Sequence, residues 1–268
     1  MQLEVFNVEG SELERFSTRG HYRVKLDSFT LDLYFSPSES KKCVVFSPGF
    51  LDLKKYQYPY FQRINWLNEF DAVGISLADP TLSLSRDIGI GWFIGDRKRH
   101  FLRETAEFLD ILISHLEIKR SSTLFFGSSA GGFSSLGLAT ILRGTKAFAV
   151  NPQTNVLKFH SITELYRTFT ACFGTANSTI GIKSAYSERV DLIELIMRED
   201  YIPQFLIWQN TFDSYHYKDH LIPFLSNLPG SGFSSSGHVA LAAHEDLGHN
   251  PPGLSALRKY FEDFFAEM

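Results

Sequence analysis

Short apolar runs recur along the chain, separated by longer segments with helical periodicity. Residues 21–26 and 30–35 alternate or run apolar around a polar turn, which predicts a β-hairpin. Further strands are predicted at 43–46, 72–77, 123–126, 147–150, 205–208 and 238–242. Apolar positions at helical spacing predict helices at 97–116 and 254–265. Strands that alternate with helices predict an α/β fold whose mostly parallel central sheet carries helices on both faces.

The segment between the strands at 147–150 and 205–208 is longer than a simple crossover helix. It contains the helical patterns ITELYRTF and RVDLIELIM. We therefore expect a helical insertion at 153–200 that forms a cap over the carboxyl edge of the sheet. The chain has 268 residues, of which 44% are hydrophobic. It can bury one substantial core, which predicts a single domain over 1–268 with the insertion inside it.

Charge and cysteine content argue against several classes of protein. The formal net charge of −4 provides no global positive field for nucleic acid. Cys43 and Cys172 lack the spacing of a zinc site or a disulfide framework, so no metal is expected and a reducing compartment fits. The first residues lack the apolar core of a signal peptide, and no stretch reaches the roughly 18 apolar residues of a membrane span. We expect a soluble, cytoplasmic protein.

A G-x-S-x-G pattern, formed by Gly127, Ser129 and Gly131, lies between a predicted strand and a helix of small residues. A serine hydroxyl is a weak nucleophile that needs a general base and donors for the oxyanion formed on attack. A sharp strand-to-helix turn exposes the serine above the sheet and tolerates only small neighbours. The pattern therefore predicts Ser129 as a nucleophile. The alternative is a glycine-rich helix start packed closely on a sheet.

On this motif and its strand order, the sequence resembles the α/β-hydrolase family over nearly the whole chain. The resemblance implies the order serine, acid, histidine, with each partner in a loop after a later strand. Asp213 follows the next-to-last predicted strand, and His249 lies between the last strand and the closing helix. They are the expected acid and base for Ser129. Asp219 and His244 are the leading alternatives, and the same two loops also contain His216, His220, Glu245 and Asp246.

The resemblance also implies an oxyanion hole built from two backbone N–H groups. One belongs to Ala130, the residue after the nucleophile. The other lies in the loop after the strand at 43–46, which reads Ser47-Pro48-Gly49-Phe50 where many family members have His-Gly. Phe50 N–H is the expected second donor.

Polar and aromatic side chains follow several predicted strands. The polar ones could recognise substrate hydroxyls or simply satisfy loop backbone; the substrate-binding candidates are Gln153, Thr154, Gln209 and Asn210. Aromatic residues at 56–61 lie beside the expected rim of the site, where their faces could stack on sugar rings, with core packing as the alternative.

Four stretches, FGSSAGGFSSLGLA, AVNPQTN, WQNTFDSYHY and GHNPP, resemble bacterial proteins of cell-surface polysaccharide assembly, including capsule O-acetyltransferases. The resemblance implies transfer of an acetyl group from acetyl-CoA, through Ser129, to a saccharide or polysaccharide hydroxyl, with no permanently bound cofactor. A carboxylesterase or deacetylase with the same triad is the alternative, and a non-catalytic binding protein on this fold is a second one. The aromatic surface is compatible with a homo-oligomer.

Overall fold

The computed structural model describes residues 4–174, 179–230 and 237–266. Within these residues a nine-stranded sheet runs in the order β1-β2-β3-β5-β4-β6-β7-β8-β9. The strands are β1 (Val5–Glu9), β2 (Gly20–Lys25), β3 (Thr30–Ser36), β4 (Cys43–Ser47), β5 (Val73–Leu77), β6 (Thr123–Ser128), β7 (Lys146–Val150), β8 (Gln204–Asn210) and β9 (Gly237–Ala242).

The sheet is mostly parallel, as predicted. The exceptions are the β2–β3 and β3–β5 pairs, which are antiparallel, and the first of these is the predicted hairpin. The edge strand β1, which pairs parallel with β2, was not among the predicted strands. Only Val8 of its five residues is buried, so the strand has no apolar alternation to reveal it.

Helices cover both faces of the sheet. The predicted helices near residues 97–116 and 254–265 are confirmed, although the first begins later because Asp96 accepts the N–H groups of Lys98 and Arg99 in a turn. The α-helices are α1 (Phe101–His115), α2 (Ala130–Ile141), α3 (Ile162–Phe173), α4 (Thr179–Val190), α5 (Leu192–Glu199), α6 (Ile222–Asn227) and α7 (Leu254–Ala266).

Alternate side chains of the central strands point into two separate apolar layers. On β6, Phe125 packs with the helices α1 and α2, whereas Phe126 packs on the opposite face with Phe261 of α7. All six residues of β6 are buried. A parallel strand covered on both faces reads as a continuous apolar run, which is why TLFF was recognisable in the sequence.

Three helices, α3 to α5, occupy the predicted insertion between β7 and β8. Ser161 and Asp191 cap the first turns of α3 and α5 through their side-chain oxygens. The α5 helix packs against α2, which begins beside Ser129. The function of the insertion as a cap stays a prediction. None of the described helices combines the length and the apolar character needed to cross a membrane.

Candidate active site

Ser129 lies at the sharp turn between β6 and α2. Its backbone has φ 56° and ψ −120°, a conformation that L-residues rarely adopt and that occurs where the surrounding structure enforces it. The turn is tight, because a Cβ placed on Gly127 would lie 2.2 Å from the carbonyl oxygen of Gly131. The strained serine and its small neighbours form the strand-to-helix elbow that the G-x-S-x-G pattern predicts.

The Ser129 hydroxyl is held by Gln153. The side-chain Nε2 of Gln153 donates to Ser129 Oγ at 3.3 Å, and the backbone N–H of Gln153 donates to the Ser129 carbonyl at 3.1 Å. The orientation of the amide is fixed because its Oε1 accepts the indole N–H of Trp92 at 2.5 Å. Oγ therefore serves as an acceptor here, and its own proton stays available for a base.

Asp213 and His249 form a hydrogen-bonded pair beyond the ends of β8 and β9. The distance from His249 Nδ1 to Asp213 Oδ2 is 2.6 Å. Asp213 is 6% exposed, whereas the His249 side chain is 44% exposed. Because Nδ1 is used by the carboxylate, the other imidazole nitrogen, Nε2, is left to act as a base.

A second histidine contacts the same carboxylate. His216 Nδ1 lies 2.9 Å from Asp213 Oδ1, and its ring stacks on that of His249 with centroids 4.0 Å apart and planes 12° from parallel. His216 is buried, and its Nε2 has no partner among the described residues. His216 thus holds both the carboxylate and the face of the neighbouring imidazole.

These contacts set the protonation states of the buried groups. Burial alone would raise the pKa of Asp213, but the hydrogen bonds from His216 and His249 outweigh it and hold the pKa below its ordinary value. Burial lowers the pKa of His216, and Asp213 opposes this only in part. Asp213 is therefore ionised at neutral pH and His216 is neutral, so the second histidine does not compete as a cation.

The stack continues into the protein core through a short π-helix, His216–Leu221. His220 packs on His216, its Nδ1 accepts the N–H of Thr154, and its Nε2 lies 3.0 Å from the Tyr215 hydroxyl. Burial lowers the pKa of His220 to about 3. π-Helices occur frequently at functional sites, and this one aligns two histidines beneath His249.

Two asparagines fix the loop that carries His249. Asn151 Nδ2 donates to the His249 carbonyl at 3.2 Å. Asn210 Nδ2 donates to the carbonyls of His244 and Gly248, and its Oδ1 accepts the N–H of His244. The loop is therefore tied to the carboxyl ends of two central strands.

Three of the four substrate-binding candidates have side chains committed to the protein. Thr154 bonds His220, Asn210 bonds the histidine loop, and Gln209 donates to the Asn210 carbonyl. All three are buried. Gln153 alone reaches the serine, so a direct substrate contact from the other three stays a prediction.

The two leading alternatives for acid and base, Asp219 and His244, make no contact with the Asp213 carboxylate within the described residues. The His244 ring stacks on Trp208, and Asp219 is exposed on the π-helix. Within the described residues, neither bonds a member of the Asp213 pair, and no hydrogen bond joins His249 to Ser129. Catalytic hydrogen bonds are often long before substrate binds and tighten in the complex. The structure thus brings Asp213 and His249 together and Gln153 to Ser129, while the complete triad stays a prediction.

The loop with the expected second oxyanion donor packs against the start of α2. A Cβ placed on Gly131 would lie 2.5 Å from the Ser47 carbonyl. Gln62 holds the loop from outside, since it accepts the Gly49 N–H and donates to the Phe50 carbonyl. Ala130 is the first residue of α2, so its N–H has no acceptor within the helix. Phe50 N–H makes no hydrogen bond within the described residues.

Two residues of the site were given no role from the sequence. His216 follows Asp213 by three positions, a spacing that places both on one side of a helical turn and that could have signalled the pair. Gln62 lies in an irregular segment 13 residues from its partner Gly49 and has no local signal.

Asp213, His216 and His249 are also close enough to hold a metal ion, with potential ligand atoms within 4.8 Å of one another. Both imidazole Nδ1 atoms, however, face a carboxylate oxygen at hydrogen-bonding distance. The geometry is that of a carboxylate holding two imidazoles by their N–H groups.

Comparison with solved structures identifies the fold as that of α/β-hydrolases. Capsule O-acetyltransferase of Neisseria meningitidis serogroup A aligns with a TM-score of 0.65 at 16% identity, over 92% of this chain and 94% of that one. S-formylglutathione hydrolase from Agrobacterium tumefaciens aligns with a TM-score of 0.61 at 16% identity, over 93% and 94%. Acylaminoacyl peptidase of Pyrococcus horikoshii aligns with a TM-score of 0.60 at 14% identity, over 93% of this chain and 41% of that one.

One further structure of the Neisseria enzyme, a mutant in complex with CoA, aligns with a TM-score of 0.65 at 14% identity, over 92% of this chain and 94% of that one. No protein-family model and no curated protein sequence matches the chain. At these identities the likeness establishes the α/β-hydrolase fold, and the predicted fold class is confirmed. Activity has to be argued from the site.

Proposed function

We propose that this protein is a serine O-acetyltransferase that moves an acetyl group from acetyl-CoA to a hydroxyl of a saccharide or polysaccharide. The observation that carries the proposal is the strained Ser129 at the strand-to-helix turn, with the Asp213–His249 pair at 2.6 Å in the loops expected to carry its partners. The similarity of the fold to a capsule O-acetyltransferase, one structure of which is in complex with CoA, supports the choice of donor and acceptor.

The first half-reaction would acylate the serine. His249 Nε2 takes the Ser129 proton as Oγ attacks the thioester carbonyl, and the resulting oxyanion accepts the N–H groups of Ala130 and Phe50. Asp213 keeps the imidazole in the correct tautomer and stabilises its cation. Collapse of the intermediate breaks the C–S bond, and the leaving thiolate takes the proton from His249. The products are acetyl-Ser129 and CoA.

The second half-reaction would reverse these roles. His249 removes the proton of an acceptor hydroxyl, whose oxygen attacks the acetyl carbonyl, and the proton then returns to Ser129 Oγ as the C–O bond to the serine breaks. The acceptor leaves as an acetyl ester. Water in place of the hydroxyl would give acetate, so the chemistry of transfer and of hydrolysis differs only in the acceptor.

Hydrolysis is the second candidate function, as a carboxylesterase or deacetylase. It is favoured by the exposure of His249, because an imidazole that is 44% exposed leaves water with access to the acyl-enzyme. A transferase has to limit that access when its acceptor binds. A non-catalytic binding protein would have no need of a strained serine at this turn.

Acceptor dependence distinguishes the candidates. We expect release of CoA from acetyl-CoA to rise at least tenfold on addition of an acceptor polysaccharide, with ester formation on the polymer, and to vanish in Ser129→Ala. Ser134→Ala, which removes a serine one turn further along α2, is the matched control. Equal release with and without saccharide would favour the hydrolase, and release that persists in Ser129→Ala would contradict both.

A further inference from the structure

A cavity of about 740 Å³ opens beside the hairpin of β2 and β3. Its volume lies in the range of small-molecule sites. Side chains from the hairpin and from segments 53–59 and 82–88 form its wall. Ser129, Asp213 and His249 do not contribute to it.

The cavity contains a buried and organised carboxylate, Asp32, whose side chain is 2% exposed. It lies 2.6 Å from His21 Nε2 and 3.3 Å from Arg23 Nε, and it accepts the Tyr58 hydroxyl at 3.3 Å. All four residues line the cavity. A buried carboxylate with three partners fixes the directions of the surrounding donors, as a pre-formed ligand site requires.

The charged groups around the cavity do not balance. Arg23 is paired with Asp32, whereas Arg86 is exposed and forms no ion pair within the described residues. The cavity is therefore lined by two arginines and one carboxylate. The remaining positive charge favours a ligand with a negative group, which a guanidinium binds in a planar, two-point contact.

An aromatic face completes the wall. Tyr56 is 44% exposed, and its ring stacks on that of Tyr60 with centroids 4.3 Å apart, which restricts the orientation of the ring. Ser83, Ser85 and Gln57, which carry hydroxyl and amide groups, also line the cavity. An apolar ring face among hydroxyl-bonding groups suits a sugar, whose C–H face packs on the aromatic ring while its hydroxyls bond the rim.

The cavity adjoins the loop that carries Phe50, the expected second oxyanion donor. Tyr58 and Leu82 line both this cavity and a small pocket that Pro48 and Gly49 also line. The segment that forms the cavity is thus continuous in sequence and in packing with the loop that carries Phe50. A polymer that presents a hydroxyl to Ser129 extends past the reacting sugar, and this cavity is a place for a neighbouring unit.

We propose that this cavity is an accessory subsite that binds an acidic saccharide unit of the acceptor, through Arg86 and the face of Tyr56. The proposal rests on the proposed function for the identity of the acceptor, although binding itself requires no acyl transfer. The negative group is a carboxylate or a phosphate, which two probes distinguish.

The test is calorimetric titration of the full chain carrying Ser129→Ala, with a galacturonic acid tetrasaccharide and, separately, with glucose 1-phosphate. We expect one of them to bind, with a dissociation constant that rises at least tenfold on adding Arg86→Gln or Tyr56→Ala. Tyr56→Phe, which keeps the ring, and Lys183→Gln, which removes an exposed charge on α4, are expected to stay within threefold. A neutral glucose tetrasaccharide is expected to bind at least tenfold more weakly than the acidic probe.

Binding that is unaffected by Arg86→Gln and Tyr56→Ala would overturn the site. Equal affinity for the neutral and acidic probes would overturn its acidic preference, and failure of both acidic probes to bind at 10 mM, on the order of the weakest specific affinities, would overturn the proposal. The proposed function fails separately: if binding depends on Arg86 but Ser129 takes no acetyl group, the cavity is a saccharide site on a protein that is not an acetyltransferase.

Discussion

Among the described residues, two aspartate–histidine pairs share the same 2.6 Å contact but lie in different settings. Asp32 and His21 lie on adjacent strands of a hairpin, and the His21 side chain is only 9% exposed. Asp213 and His249 lie on loops at the ends of β8 and β9, and the imidazole is 44% exposed. The contact itself therefore does not identify a catalytic pair.

The hydroxyl that contacts the first pair also differs from the hydroxyl proposed to react with the second. The Tyr58 hydroxyl donates a hydrogen bond to Asp32, and burial, followed by the charge of Asp32, raises the pKa of Tyr58. Ser129 Oγ instead accepts from Gln153, and its proton is uncommitted. A carboxylate–imidazole pair supports nucleophilic chemistry when its free nitrogen is accessible and the hydroxyl it serves can give up a proton.

The largest expected effect comes from Asp213→Asn, which tests whether the Asp213–His249 pair supports catalysis. The amide cannot stabilise the histidine cation and favours the wrong tautomer, so kcat toward p-nitrophenyl acetate is expected to fall about 10³- to 10⁴-fold. Steady-state kinetics and circular dichroism of the variant measure activity and fold together. The matched control is Asp219→Asn, which changes an exposed aspartate on the π-helix. If Asp213→Asn kept the wild-type rate, another residue would have to be the acid.

Asp32→Asn is expected to act on stability. The amide removes the buried charge that pairs with Arg23 and can place its oxygen on only one of the two sides that the carboxylate now serves, His21 with Arg23 or the Tyr58 hydroxyl. The loss costs about 1–3 kcal/mol of unfolding free energy. Urea unfolding of the variant measures it, with the exposed Asp263→Asn on α7 as a control expected to stay within about 0.5 kcal/mol. A stability change in Asp32→Asn no larger than the control's would contradict a structural role for this pair.

The histidine stack beneath Asp213 is expected to make the fold sensitive to acid. His220 stays neutral in the folded protein down to about pH 3, whereas in the unfolded chain it binds a proton below its ordinary value of 6.5. Stability therefore falls as the pH drops from 6.5 toward 3, by about 1.4 kcal/mol per unit, or about 2 kcal/mol at pH 5.

His220→Gln removes the titrating group. We expect the difference in unfolding free energy between pH 7 and pH 5 to shrink by about 2 kcal/mol, while the exposed His115→Gln leaves that difference unchanged. An unaltered difference in His220→Gln would show that the stack does not resist protonation.

The smallest expected effect concerns the strain at Ser129. Glycine adopts φ 56° and ψ −120° more readily than alanine, so Ser129→Gly is expected to be more stable than Ser129→Ala by about 1 kcal/mol, with both inactive. Thermal unfolding of the two variants measures this. Equal stability would indicate that the turn is not strained.

Much of the architecture was predictable because it depends on local pattern. Buried parallel strands such as β6 appear as apolar runs, and the elbow carries glycines that its tight turn requires. The strand β1 was not predicted because four of its five residues are not buried. Its place is determined by pairing with β2, which the sequence does not encode locally.

The site was less predictable because its contacts join distant segments. The loop order of the resemblance led to Asp213 and His249, and the structure brings these two together. Other contacts depend on how the ends of the strands meet, and no sequence motif extends across them. They are the contact of His216 with the Asp213 carboxylate, the hydrogen bond from Gly49 to Gln62, and the inward orientation of Thr154 and Asn210.

Intact-protein mass spectrometry after brief incubation with acetyl-CoA tests the central claim most directly. We predict a single acetyl adduct of about 42 Da that maps to Ser129, persists in Ser134→Ala and is absent from folded Ser129→Ala, since only the strained serine can form the acyl-enzyme. An adduct that remains in Ser129→Ala, or none in a folded wild-type sample, would contradict serine acetyl transfer at this site.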